Sequence, residues 1–250
     1  MLYSVNETIA REINEEARKK YAEGDRESAR RKLTAALQLN PESEYVRLNI
    51  AYMDWREGNL DRAIQTLKAL LASAKDPSVM ADSLITLGNA YYDSEDLDAA
   101  YDYFEKVLSV RLSAGDPHAI RITADGHSGM GMVEKARGNL DIAIAHFEDC
   151  LRIHPRNACG LAHLAHCHYL KDNFAKAIEH CRLAIEVYEE SPNDNPIGND
   201  WMHLGWYYEE SGDVETARDC YLKAIELGEE EARESLEELN KAVSSRNAAG

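Results

Sequence analysis

The sequence predicts an all-α protein built as a stack of helix hairpins, and three observations carry that expectation. A short turn is written twice, as "GNLDRA" from Gly58 and "GNLDIA" from Gly138. The residues after it are apolar at helical spacing, as Ile142, Ala143, Phe147, Cys150 and Leu151 are after the second copy. Only six prolines occur in 250 residues, which suits long helices.

The same small–polar–x–x–x–Ala turn is found six times. The other copies are "GDRESA" at Gly24, "EDLDAA" at Glu95, "DNFAKA" at Asp172 and "GDVETA" at Gly212. Taken in order, the copies start 34, 37, 43, 34 and 40 residues apart. A period in this range marks a repeat architecture, in which one hairpin cannot bury its apolar face until a neighbour stacks on it. Gly is expected to end the first helix of each unit in a left-handed conformation, and the Asn or Asp beside it to start the second.

The units run approximately over 10–43, 44–77, 81–114, 124–157, 158–190 and 198–231. In the first, Ser4 and Glu7 read as a capping box for the opening helix. The second carries Ala51, Gly58 and Ala63. The third has Glu95 where Gly is expected. Between the third and fourth, "VRLSAGDPHAIRITADGHSG" reads as an elongated second helix, a turn at Gly115–Pro117 and an elongated next helix. The fourth closes at Pro155. The fifth holds a His-rich first helix. "SPNDNPIGND", Ser191–Asp200, is a turn-rich insertion, an ordinary loop or a lid. After the sixth, a charged helix over 230–243, with Ala232, Leu236 and Leu239 on one face, reads as the polar cap an array needs.

These residues resemble the tetratricopeptide repeat (TPR) family, whose 34-residue pattern prefers Trp, Leu-Gly, Tyr, Gly, Ala, an aromatic and Ala at fixed places. Trp201, Leu204, Gly205, Tyr208, Gly212, Ala217, Tyr221 and Ala224 match it in the sixth unit. Leu87, Gly88, Tyr91, Ala100 and Phe104 match in the third, and Met130, Gly131, Gly138, Ala143, Phe147 and Pro155 in the fourth. At the place where the family prefers Tyr, units one and two have Lys20 and Asp54. The resemblance implies a right-handed α-solenoid of six hairpins with a C-terminal capping helix. It also implies tight helix contact at Gly88, Gly131, Gly205 and the alanines that follow each turn.

Composition narrows the function classes. With a net charge of −17, the chain lacks the basic stripe that phosphate binding needs, so no nucleic-acid partner is expected. The charge is uneven. Glu189 to Glu238 holds sixteen acidic and three basic residues, whereas Arg18 to Lys32 holds seven basic and three acidic. The acidic end is expected to favour a partner of basic character. No apolar run long enough for a membrane helix and no secretory signal is visible, and the five cysteines form no CxxC pair. A cytoplasmic protein with reduced thiols is the expectation.

No nucleophile elbow, HExxH, Walker loop or dinucleotide fingerprint occurs, so neither an enzyme nor a cofactor is expected. The resemblance implies instead that first helices line a concave groove for a partner protein or peptide. It places Asn49, Tyr52, Trp55, Asn89, Tyr92, His166, Tyr169, His203 and Trp206 there, with Lys135 on the groove surface. Rings give contact area at low entropy cost, and amides pair with peptide backbone. A carboxylate clamp of the family's Lys/Asn/Arg type is not matched, since the third unit offers Asp82 and Thr86. A peptide-sensing regulator or a self-assembling scaffold are the alternative roles. Cys159, His163, His166 and His203 fall at groove positions with zinc-compatible residue types and form an alternative metal set.

Overall fold

The computed structural model describes residues 2–113, 115–190 and 198–249, with side chains over 5–245 of that span. Among the described residues there are thirteen helices and no strand. They are α1 (Leu2–Ala22), α2 (Arg26–Leu39), α3 (Glu44–Arg56), α4 (Leu60–Leu71), α5 (Pro77–Asp93), α6 (Leu97–Val107), α7 (Pro117–Ala136), α8 (Leu140–Ile153), α9 (Ala158–Tyr169), α10 (Phe174–Glu190), α11 (Gly198–Ser211), α12 (Val214–Glu226) and α13 (Glu231–Ala249). The arrangement is an α-solenoid of helix hairpins. The chain divides into two compact units, Met1–Val133 and Glu134–Gly250, with the division inside α7.

The six turns share one mechanism. Each has a left-handed residue: Gly24 (φ 82°), Gly58 (79°), Glu95 (63°), Gly138 (80°), Asp172 (56°) and Gly212 (90°). In each, the next N–H reaches back to the carbonyl five residues earlier, as Asp25 does to Lys20, Asn59 to Asp54 and Asn173 to His168, at 2.8–2.9 Å. This is the Schellman closure, which satisfies carbonyls left open at a helix end. Where the next residue is Asp25, Asp96 or Asp213, its side chain also caps the following helix by accepting an N–H three residues on. Asn59 and Asn139 make no such cap bond. Asn139 instead donates its amide to Glu134 Oε2 at 2.7 Å.

That bond explains more of the repeated "GNLD". In both copies the residue four places before Gly is a buried acid, Asp54 at 0% exposure and Glu134 at 6%. Asp54 is held from a distance by Arg30 of α2 at 2.8 Å, with Arg62 at 3.2 Å. Glu134 is held locally, by Asn139 and by Arg137 at 2.7 Å. Burial pushes the Glu134 carboxyl up, but these two hydrogen bonds outweigh it and keep it below the usual range.

The first unit's core runs through α1–α3 (Ala10, Ala17, Ala29, Leu33, Ala36, Val46, Met53), then α3–α5 (Leu48, Leu67, Leu70, Val79, Leu87). In the second unit Ala165, Ala177, Cys181, Leu204 and Tyr207 pack together, and α13 closes that end by burying Ala232 and Leu239 against Met202, Tyr221 and Ala224. The alanines that follow the turns, Ala29, Ala63, Ala100, Ala143, Ala177 and Ala217, are all 0% exposed. Gly88 and Gly205 face rings so closely that an added Cβ would sit 2.5 Å from Phe104 and 2.5 Å from Tyr221 respectively. Overpacking such a contact costs about 1–3 kcal/mol.

Two expectations are corrected. The helix before Gly115 is not elongated: α6 ends at Val107 after 11 residues, and the chain continues through i→i+3 turns at Leu108, Ser109 and Val110. Leaving the helix lets Val110 and Leu112 pack on Ala81, Leu84, Val107 and Ile122, a burial that a continued helix would not give. Only α7 is long, at 20 residues. At the start of the chain, α1 begins at Leu2, so Ser4 lies inside the helix rather than at its cap. Glu7 pairs with Arg11 at 3.0 Å. Most of the Ser191–Asp200 insertion, residues 191–197, lies outside the described residues.

Candidate functional site

In the first unit the first helices of successive hairpins, α1, α3 and α5, touch one another and present a continuous row of polar rings and amides. Asn49 on α3 donates its amide to Asn14 on α1 at 2.7 Å. Tyr52 meets Tyr21 of α1 edge-on at 6.1 Å and Trp55 of its own helix at 5.4 Å. The Trp55 indole N–H then reaches α5, donating to Asp93 at 2.6 Å. Tyr52 keeps 37% of its surface open. Tyr92, expected in the groove, packs against the Ala100, Phe104, Met130 and Val133 cluster, and this burial raises its hydroxyl pKa. Asn89 is half-buried one turn before it.

The second unit builds its face from α9, α11 and the last turn of α7. Its chemistry is different. His166 of α9 and His203 of α11 stack at 6.1 Å and 12°. His203 lies 5.0 Å from Trp206, and Tyr169 lies 4.9 Å from Tyr207. Lys135, expected on the groove surface, approaches His163 with Nζ 3.2 Å from Nδ1. Trp206 is not simply open to a partner either, because its indole N–H donates to Ser235 of α13 at 3.2 Å.

Burial lowers the pKa of Lys135. Burial, then repulsion from Lys135 and the other imidazoles, lowers His163 to about 3 and His203 to about 4. Burial followed by Lys135 lowers His166 as well. At neutral pH the rings are neutral and Lys135 carries the charge. Cys159 is exposed, and among the described residues no three His, Cys, Asp or Glu side chains are arranged to hold a metal. The three histidines of the alternative metal set instead share one face with Lys135. None of the five cysteines is held in a disulfide.

Asp93, Ser235 and Tyr207 shape these faces but were not singled out as site residues in the sequence. Lys135 was expected on the groove surface, but its contact with His163 of α9 was not. Ser235 gave no signal, because only the packing of α13 brings it to Trp206.

No helix among the described residues is long and apolar enough to cross a membrane. Three models described as tetratricopeptide repeat match the chain, at residues 20–85, 54–117 and 156–230. Comparison with curated proteins gives no match. Among solved structures, the chain is similar to one in the APC/C hetero-tetramer Cut9–Hcn1, with a TM-score of 0.70 and 14% identity over 85% of this chain and 39% of that one. It is also similar to PilW, a type IV pilus biogenesis factor, with a TM-score of 0.69, 16% identity and 91% and 98% of the two chains covered. PilF of Pseudomonas aeruginosa gives 0.67, 17%, 93% and 99%. At these identities the likeness is one of fold.

Proposed function

The chain belongs to the tetratricopeptide repeat family, and we propose that it acts as a non-enzymatic adaptor, holding a partner protein or peptide against the faces of its first helices. The observation that carries this reading is the row Tyr21–Tyr52–Trp55, tied across three helices by Asn49–Asn14 and Trp55–Asp93. Polar rings held in place but left partly open supply area without an ordering cost on binding.

The test is site-specific photo-crosslinking. A photoreactive phenylalanine analogue replaces Tyr52 or His166 on the first-helix faces, or Asp102 or Glu148 on the second helices. Arg62 is unsuited as a comparison position because it lies against buried Asp54. Crosslinks to a common polypeptide from Tyr52 and His166, with none from Asp102 and Glu148, are the expected result. The reverse pattern would move binding to the outer face.

A further inference from the structure

The face at Lys135, His163, His166 and His203 has an unusual charge balance for a chain with 45 acidic residues. Four basic groups from three helices converge there. The charged or titratable groups that act on them are one another and, on Lys135, the thiols of Cys167 and Cys159. Around them stand Phe147 against His163, Tyr169 against His166, and Trp206 and Tyr207 against His203. Acids act on the surrounding rings rather than on the basic groups: Glu210, Glu209 and Asp172 bear on Tyr169, and Asp200 of α11, whose carboxyl burial pushes up to about 6, bears on Tyr207. Lys135 is thus a shielded ammonium whose hydrogen-bond contact is a neutral imidazole. Shielded charges are normally met by a counter-charge.

We propose that this face receives a carboxylate carried by the partner peptide, and that seating it draws solvent protons onto His166 and His203. The proposal deepens the adaptor reading and rests on it. The carboxylate supplies the charge that Lys135 lacks, and the aromatic wall of Tyr169, Trp206 and Tyr207 takes the apolar residues beside it. An anion among the imidazoles favours their charged forms, so binding and protonation assist each other. Affinity therefore rises as pH falls through the bound-state pKa of the two histidines, and the gain levels off below their free-state values.

This partner chemistry is opposite to the one expected from the acidic C-terminal stretch. His203, Trp206 and Tyr207 lie within that stretch, with Glu209 and Glu210 at the rim of the face, while Glu230, Glu231, Glu234, Glu237 and Glu238 on and before α13 are exposed. The net charge of the sequence adds the two surfaces together and conceals that one of them is basic.

Four pentapeptide probes decide the matter, each with a central residue flanked by Leu and Ala. Three are capped at both ends, with central Glu, Gln or Lys. The fourth has central Gln and a free C-terminal carboxylate. Binding is read from the imidazole proton resonances of His166 and His203 and from Trp206 emission in the full chain. The expected result is that a carboxylate probe binds about tenfold more tightly than the capped Gln probe at pH 6, with a gain of similar size between pH 8 and pH 6. If the Glu probe carries the preference, the ligand is a side chain. If the free-acid probe carries it, the ligand is a chain terminus. Both results support the proposal. Lys135→Met should abolish the preference and raise the His203 pKa, Lys135→Arg should keep the preference, and His166→Gln with His203→Gln should remove its pH dependence.

Equal binding of the Glu, free-acid and capped Gln probes, or preference for the Lys probe, would overturn the carboxylate site while leaving peptide capture standing. If no probe perturbs His166, His203 or Trp206, peptide capture at this face fails with it.

Discussion

The two units use corresponding positions of the repeat for different chemistry. In the first, Asn49 and Tyr52 stand where the second has His163 and His166. The first unit answers its polar groups internally, Asn14 with Asn49 and Asp93 with Trp55. The second gathers Lys135 and three imidazoles and leaves them facing one another. The comparison teaches that the repeat fixes backbone and small-residue contacts, while the open positions of the first helices are free to carry either a self-satisfied or an uncompensated surface.

Acid should separate the two units most. The histidines of the second unit have folded pKa values depressed below the unfolded value. As pH falls below about 6.5, the unfolded chain takes up protons that the folded unit resists, so stability is present at neutral pH and declines toward the folded values. We expect the second unit to lose roughly 2 kcal/mol between pH 7 and pH 5, because buried Asp200, with its carboxyl raised to about 6, works in the opposite direction to the histidines, while the first unit changes little. Hydrogen exchange by segment at the two pH values measures this, and equal loss in both units would remove the contrast.

The paired acids sharpen the comparison at a smaller scale. Asp54 accepts its hydrogen bond from Arg30 of another hairpin, 31% exposed at its side chain, and its second cation, Arg62, is 67% exposed. Glu134 keeps Asn139 when Arg137 is removed. Arg30→Met should therefore cost roughly 2 kcal/mol in the first unit, and Arg137→Met in the second under about 1 kcal/mol. Denaturant melts of the two variants test the order, and a larger loss for Arg137→Met would show that local hydrogen bonds do not hold Glu134. Because the Glu134 pKa is depressed, its contribution is present above the ordinary carboxylate range and is lost as pH falls through the folded value.

The turns provide the smallest effect. Glu95 in the first unit and Asp172 in the second adopt left-handed backbone that the other four turns give to glycine. Glu95→Gly should stabilise by about 0.5–1 kcal/mol, since relief of the left-handed cost exceeds the added freedom of the unfolded chain. Asp172→Gly should gain only about 0.3 kcal/mol, because Asp tolerates this region better. Thermal melts of both single variants read the difference, and no gain from Glu95→Gly would mean its side chain compensates the strain.

These turns also show how much the sequence carried. Gly24, Gly58, Gly138 and Gly212 were legible because a left-handed helix end favours glycine, and the alanines after them because hairpin helices close on a small side chain. Glu95 and Asp172 were found only by their place in the period. The end of α6 was not legible, because "KVLSVRL" is as apolar as a helix would be and its exit depends on where Val110 and Leu112 find neighbours.

The sequence by itself determined the helical hairpins, their turns, the buried small residues and the family, because each rests on contacts within some forty residues of chain. Only the tertiary structure decided which open side chains meet. Lys135 and His163 are 28 residues apart, His166 and His203 lie on different hairpins, and Ser235 reaches Trp206 from the closing helix. Their meeting is set by how one hairpin rests on the next, and so is the charge of the surface they form.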